Sequence, residues 1–223
     1  MTRAILFDFN GVIANDEPAH CRALIETLAE SDIALSPNDY ARHYLGLDDF
    51  ACFRKAWELA GRGEVPLENL DELVDRKHRR YADAVALGVS PVPGVIEFIG
   101  LAREQGTSLA VVSGALRKEI VPVLEVLKIA SAFQVLIAGE DVPRCKPDPA
   151  GYLLALAILA SQPEEAMILE DSLPGLAASR AARIRCTMLT TSHSAAMLSD
   201  ADAIWENFLG RTPADLPWTS HRA

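Results

Sequence analysis

A chain of 223 residues, half of them hydrophobic and 23% charged, has the size and composition of a globular protein with one sizeable core and a smaller second unit. Its formal net charge of −10 argues against nucleic acid or anionic membranes as partners, while leaving a locally positive site for a small anion open. The four cysteines, Cys21, Cys52, Cys145 and Cys186, are scattered with no C-x-x-C spacing, which speaks against zinc and disulfides and for reduced thiols in the cytoplasm.

The first apolar run starts within a few residues of the N-terminus, so no signal peptide is expected. Ile5–Phe7 reads as a strand buried on both faces, ending in Asp8 and turning through Phe9, Asn10 and Gly11. Residues 16–88 then read as helix throughout. The first helix places Cys21, Leu24, Ile25 and Leu28 on one face. Ser36-Pro37-Asn38-Asp39 opens a second with a hydroxyl cap, and Gly46 stops it. A third carries Phe50, Phe53 and Trp57 and meets Gly61. A fourth runs from about Leu67 to Leu87 with Leu70, Leu73, Val74, Tyr81 and Val85 inward.

From Pro91 the pattern alternates: helix Val95–Gln105, strand Ser108–Val112, a helix from near Lys118, strand Gln134–Ala138, and helix Ala150–Ala160. Strand Ala166–Leu169, helix Gly175–Ala182 and strand Cys186–Leu189 complete it. The most apolar helix, around Gly151–Ala160, is too short to span a bilayer. Such alternation implies an α/β fold with a Rossmann-like, doubly wound parallel sheet. Residues 1–14 and 91–210 form this core, a helical unit of residues 15–90 interrupts it after the first strand, and residues 211–223 read as a loosely packed tail.

Polar chemistry gathers where the strands end, which is where open α/β sheets bind ligands. Asp8 is either a ligand-facing carboxylate or a strand-end acid accepting turn amides. In VVSGA, Ser113 and Gly114 open a turn whose amides and hydroxyl suit a phosphate; a simple serine cap is the other reading. In RCKPDP, Pro147 restrains Lys146, which is either a point charge for a phosphate oxygen or a solvated surface lysine. In ILEDSLPGL, Glu170 and Asp171 are adjacent acids at a buried strand end. Beside Asp8 they require a cation, and a few hard oxygen ligands suit Mg²⁺; an acidic helix N-terminus is the alternative.

In that order, FDFNGVI, VVSGA, CKPDP and LEDSLPGL resemble the four motifs of the haloacid dehalogenase (HAD) superfamily, mostly phosphatases and phosphotransferases with an aspartyl nucleophile. The helical unit, entered through NDEPAH (15–20), resembles the small cap of the subgroup containing β-phosphoglucomutase and phosphoglycolate phosphatase. The resemblance implies that Asp8 attacks phosphorus and becomes an aspartyl phosphate. It implies Mg²⁺ held by Asp8, the backbone carbonyl of Asn10 and Asp171, with Glu170 bound directly or through water. Ser113, the Gly114 amide and Lys146 would hold the phosphate oxygens.

Two positions depart from the family pattern. Asn10 stands where family phosphatases carry the acid that protonates the leaving group and activates water, a loss of ~10²–10⁴-fold in rate. Asn15 also replaces a usual acid, with Asp16 following it; Asp16 or His20 is the candidate substitute proton source. Lys77, beside Arg76, is either a substrate-facing cap lysine or one that snorkels to water. Residues 45–50 lack a base for gripping a second phosphate. The expected function is a slow Mg²⁺-dependent phosphatase of small organic phosphate monoesters, sugar phosphates among them. A β-phosphoglucomutase-like phosphotransferase and a catalytically weakened binding or regulatory protein are the alternatives. The expected partner is a small phosphorylated metabolite, with no nucleic acid and no membrane, and the expected state is a cytoplasmic monomer.

Overall fold

Ala4–Phe7 (β1), with every residue buried, opens the chain and becomes an interior strand of the larger of two units. The computed structural model describes residues 3–44, 47–86 and 88–218. The larger unit comprises Met1–Asn15 and Val89–Ala223, and the smaller Asp16–Gly88. After β1 come β2 (Ala14–Asn15), α1 (Glu17–Ala29), α2 (Pro37–His43), α3 (Asp49–Leu59), α4 (Leu67–Ala86) and β3 (Ser90–Pro91). The alternating part holds α5 (Val95–Glu104), β4 (Ser108–Val112), α6 (Arg117–Val126), β5 (Val135–Ile137) and α7 (Ala150–Leu159). It ends with β6 (Ala166–Glu170), α8 (Leu173–Ala181), β7 (Arg185–Leu189) and β8 (Ala203–Trp205).

Six strands pair in parallel in the order β5-β4-β1-β6-β7-β8, so the expected doubly wound sheet is present. The chain winds outward from β1 to β5, then returns to β1's other side with β6. That reversal beside β1 is the point at which such sheets open a crevice for ligands. Register fixes what meets there. Phe7 pairs with Val111 on one side and Leu169 on the other, so Asp8 comes level with Val112 and Glu170.

The alternation of side chains divides the core into two layers. Leu6, Val112, Ile168 and Met188 pack with Tyr152, Leu156 and Leu176 from α7 and α8. On the opposite face Phe7 meets Phe98 and Phe133 edge-on, and Phe98 packs 5.0 Å from Phe208. Full burial of each such side chain contributes about 1.5–3 kcal/mol.

In the smaller unit, Leu24 and Leu28 of α1 pack with Leu70, Leu73 and Val74 of α4 and with Phe53 and Trp57 of α3. Ser36 caps α2 by accepting from the Asp39 amide at 3.1 Å, as its sequence dictates. Gly46, Leu45 and Leu87 lie outside the described residues.

Several expectations need correction. Of the aromatics expected on the third helix, Phe50 is 40% exposed. The buried stripe of α3 is Cys52, Phe53, Ala56 and Trp57, centred about a quarter turn away from Phe50. Helix α6 begins at Arg117, in keeping with a start near Lys118, and carries Pro122 inside it; the Glu119 carboxylate secures its start by accepting the Leu116 amide at 3.0 Å. Helix α8 begins two residues before Gly175, because Ser172 caps it and Pro174 fits its first turn. The short edge strand β8 was not expected. The segment 211–218 is not loose: Pro213 and Leu216 are buried, Trp218 Nε1 donates to the Pro213 carbonyl at 2.7 Å, and Arg3 stacks over the Trp218 ring.

Candidate active site

The site grows from β1 and β6 running side by side. The Asp8 amide donates to the Leu169 carbonyl at 2.9 Å, continuing the sheet by one bond. Asp8 and Glu170 share the parity of Leu6 and Ile168, and so lie on the face covered by α7 and α8. Beyond Asp8 the chain reverses at once, with the Ile13 and Ala14 amides both bonded to the Phe9 carbonyl. Gly11 makes this turn at φ +72°, and a Cβ there would lie 1.9 Å from Asp171 Oδ2. Only glycine meets both conditions.

Lys146 closes the gap between two acids. Its Nζ donates to Asp8 Oδ1 at 2.6 Å and to Glu170 Oε1 at 2.5 Å. The solvated-surface reading of this lysine is therefore set aside: its side chain is only 14% exposed. Glu170 is completely buried and heavily engaged. Oε1 also accepts from the Tyr152 hydroxyl at 3.0 Å, and Oε2 accepts from the amides of Asp171 and Ser172, both at 2.8 Å, and from the Ser172 hydroxyl. Helix α8 can come this close because residue 175 is glycine; a Cβ would sit 1.8 Å from Glu170 Oε1.

Ser113 is buried at the end of β4, its amide bonded to the Ile137 carbonyl and its hydroxyl accepting from the Ala115 amide at 3.1 Å. Gly114 is exposed. The turn rests on Gly139, whose amide donates to the Ala115 carbonyl at 2.9 Å and whose Cβ would lie 2.4 Å from the Gly114 carbonyl oxygen. Ser113, Gly114, Cys145, Lys146 and Tyr152 line one shallow pocket open to solvent. It thus joins the VVSGA turn to the lysine.

Electrostatics at the acids is unbalanced. Asp8, Glu170 and Asp171 each offer a carboxylate oxygen within 4.8 Å of the others, and all three residues are buried. Burial pushes Asp8 up to about 7; Lys146 opposes this and Glu170 reinforces it. Burial, then Glu170 and Asp8, drive Asp171 well above the usual carboxylate range. Burial works to raise Glu170 too, but Lys146 and the backbone amides outweigh it and hold Glu170 below its ordinary value. Burial would lower Lys146, yet Asp8 and Glu170 keep it above its ordinary value. One lysine against three carboxylates leaves surplus negative charge. A cluster of oxygen donors with that surplus fits a hard divalent cation.

Asn10 is half-buried in the turn after Asp8, bridging towards Ala14. His20 and Lys77 belong to the smaller unit and form part of a buried network there. Lys77 does not snorkel: it is 4% exposed, pairs with Asp49, and lies 2.9 Å from His20 Nδ1. His20 stacks on Tyr81, whose hydroxyl donates to Asp16 Oδ2, and His78 Nε2 lies 2.9 Å from Asp49 Oδ2. Burial opposes the charge on Asp49, but His78 and Lys77 prevail and hold it well below the usual carboxylate range.

Sequence reasoning missed Tyr152, Thr191, Ser192 and His193. Thr191 lies 3.1 Å from Asp171 Oδ2, Ser192 donates to the same oxygen, and His193 Nδ1 is 3.2 Å from the Asp171 carbonyl. The signal was there: Thr190-Thr191-Ser192-His193 is a polar run at the end of a buried strand, like the others. Tyr152 gave none, being one aromatic in an apolar helix.

Comparison with known proteins agrees with this architecture. A family model described as haloacid dehalogenase-like hydrolase matches residues 5–189. Protein CbbY of Rhodobacter capsulatus is 31% identical over 198 residues, covering 86% of this chain and 87% of CbbY. Hexitol phosphatase B of Escherichia coli (strain K12) is 30% identical over 187 residues, covering 82% of this chain and 81% of that protein. The crystal structure of CbbY from Rhodobacter sphaeroides in complex with phosphate matches with a TM-score of 0.83 at 28% identity, covering 96% and 98% of the two chains.

Proposed function

This chain belongs to the haloacid dehalogenase-like hydrolase family, and on that footing we propose that it is a Mg²⁺-dependent phosphatase of small organic phosphate monoesters, sugar phosphates among them. The observation that carries the reading is the convergence of Asp8, Lys146, Glu170 and Asp171 at one end of the sheet. The names of similar proteins, a hexitol phosphatase and a CbbY bound to phosphate, favour the substrate class. Asp16–Gly88 acts as the cap, and the enzyme works as a cytoplasmic monomer.

Asp8, the Asn10 carbonyl and Asp171 would hold the metal. Glu170, with both oxygens already accepting protein donors, orients Lys146 and the start of α8 and would add its charge to the metal's surroundings. When bound, Mg²⁺ neutralises the carboxylates and the phosphoryl oxygens. Lys146, the Ser113 hydroxyl and the Gly114 amide hold the phosphate. A carboxylate oxygen of Asp8 bonds to phosphorus as the ester P–O bond breaks, and the electron pair leaves with the alcohol oxygen. Water then attacks phosphorus, the bond to Asp8 breaks, and phosphate departs with the carboxylate restored.

The side-chain amide of Asn10 serves neither step as acid or base. Water must protonate the leaving alcohol, at a cost of ~10²–10⁴-fold, or roughly 3–5 kcal/mol. The enzyme is therefore slow and favours good leaving groups. A panel of phosphate monoesters assayed with Mg²⁺, beside Asp8→Asn, tests the reading. Metal-dependent release of phosphate should fall by at least about 10³-fold in the variant. Turnover that survives Asp8→Asn, or none on any ester, including aryl phosphates, would refute it.

A further inference from the structure

Asp171 is held by a segment that lies outside all four motifs. Residues 190–193 follow β7 just past the level of the site acids, since Glu170 pairs with Met188. Ser192 Oγ donates to Asp171 Oδ2. Thr191 Oγ1 donates to the Gly11 carbonyl at 2.7 Å and stands 3.1 Å from the same Oδ2. His193 Nδ1 lies 3.2 Å from the Asp171 carbonyl, which can only accept, so this nitrogen carries the proton.

These contacts have a pattern. The two side-chain contacts on the carboxylate fall on Oδ2, and the third side chain holds the backbone of Asp171. A hydroxyl has one proton, and the shorter distance places that of Thr191 on Gly11 rather than on the acid. Thr191 thus ties the turn that carries the Asn10 carbonyl to the loop beside Asp171, and Ser192 supplies the hydrogen bond to the carboxylate.

We infer that Thr191 and Ser192 are positioning residues for the divalent cation: they occupy Oδ2 of Asp171, turn Oδ1 out as its ligand atom, and lock the Asn10 turn against it. The inference rests on the metal site proposed above. Mg²⁺ demands near-ideal geometry from its few protein ligands, so fixing one oxygen and one carbonyl relative to each other bears directly on affinity. Removing such outer partners typically costs 10–100-fold in metal binding.

Thr191 is an exposed residue, so Thr191→Val removes the hydroxyl without disturbing the core. Mg²⁺ titration calorimetry and Mn²⁺ electron paramagnetic resonance on the wild type, Thr191→Val, Thr191→Ser, Ser192→Ala and Asp171→Asn, each also melted metal-free, give the test. Thr191→Val and Ser192→Ala should bind about 10–100-fold more weakly and Thr191→Ser within about threefold, with metal-free melting little changed. Wild-type affinity in both Thr191→Val and Ser192→Ala, or a fall in metal-free melting without a change in affinity, overturns the positioning role while leaving the metal site standing. Wild-type protein that binds no ion, or whose binding ignores Asp171→Asn, overturns the site itself.

Discussion

Replacing Lys146 by methionine keeps the length of the stem and removes the ammonium that bonds both Asp8 and Glu170. The structure sets the size of the loss. Two charge-assisted hydrogen bonds of 2.6 and 2.5 Å disappear, and their acceptors are 10% and 0% exposed as side chains. Breaking one partner of a buried pair costs about 3–5 kcal/mol, a large share of the 5–15 kcal/mol that holds a typical domain together. The sign with pH follows from linkage. Without the lysine, Asp8, already at about 7, rises further, and Glu170 loses the charge that outweighed its burial. An acid whose folded value lies above its unfolded one binds more protons when folded, so stability falls as pH climbs from the ordinary carboxylate range to the raised value. Urea unfolding of metal-free protein should show a modest deficit near pH 5 and the full deficit near pH 8, partly reversed by Mg²⁺. A deficit below about 1 kcal/mol at pH 8, or one independent of pH, would refute the electrostatic account.

Asn10→Asp should accelerate hydrolysis of poor-leaving-group esters by about 10²-fold or more, read as kcat; an unchanged rate would show that residue 10 is not the missing acid. Gly175→Ala should lower the melting temperature by several degrees, through about 1–3 kcal/mol of forced separation between α8 and Glu170. The contrast is Gly100→Ala, where a Cβ meets nothing within 4 Å and the change should be neutral or stabilising. Calorimetric Mg²⁺ affinity should weaken about tenfold per pH unit for each proton displaced below the Asp8 value of about 7, and a pH-independent constant between pH 5 and 7 would contradict the raised carboxylates.

The sheet was legible because its strands are covered on both faces. Val111, Ile168 and Leu169 belong to unbroken apolar runs, and such runs leave little choice but a parallel interior strand. Legibility fell where burial rests on isolated anchors. Pro213, Leu216 and Trp218 fasten the last described residues without any period to betray them. Edge strand β8 has three residues, fewer than an alternation needs to declare itself.

In the site, Asp8 and Glu170 could be brought together from sequence because their positions follow from register. Phe7 lies opposite Leu169, so the residue after each must come level, and strands about 4.8 Å apart then bring two carboxylates together on one face. A slip of one residue would send Asp8 to the opposite face from Glu170, away from Lys146 and from the α7 face that carries Tyr152. The number of buried residues before each acid is therefore as much a part of the site as the acids themselves. What register does not dictate is which long or looping side chains arrive from elsewhere. Lys146 comes from the loop before α7, where RCKPDP marks it, while Tyr152 comes from an apolar helix and Ser192 from beyond the next strand. Their roles depend on rotamers and loop paths that leave no periodic mark. These later arrivals set how much charge the acids retain, and so how strongly they draw a cation.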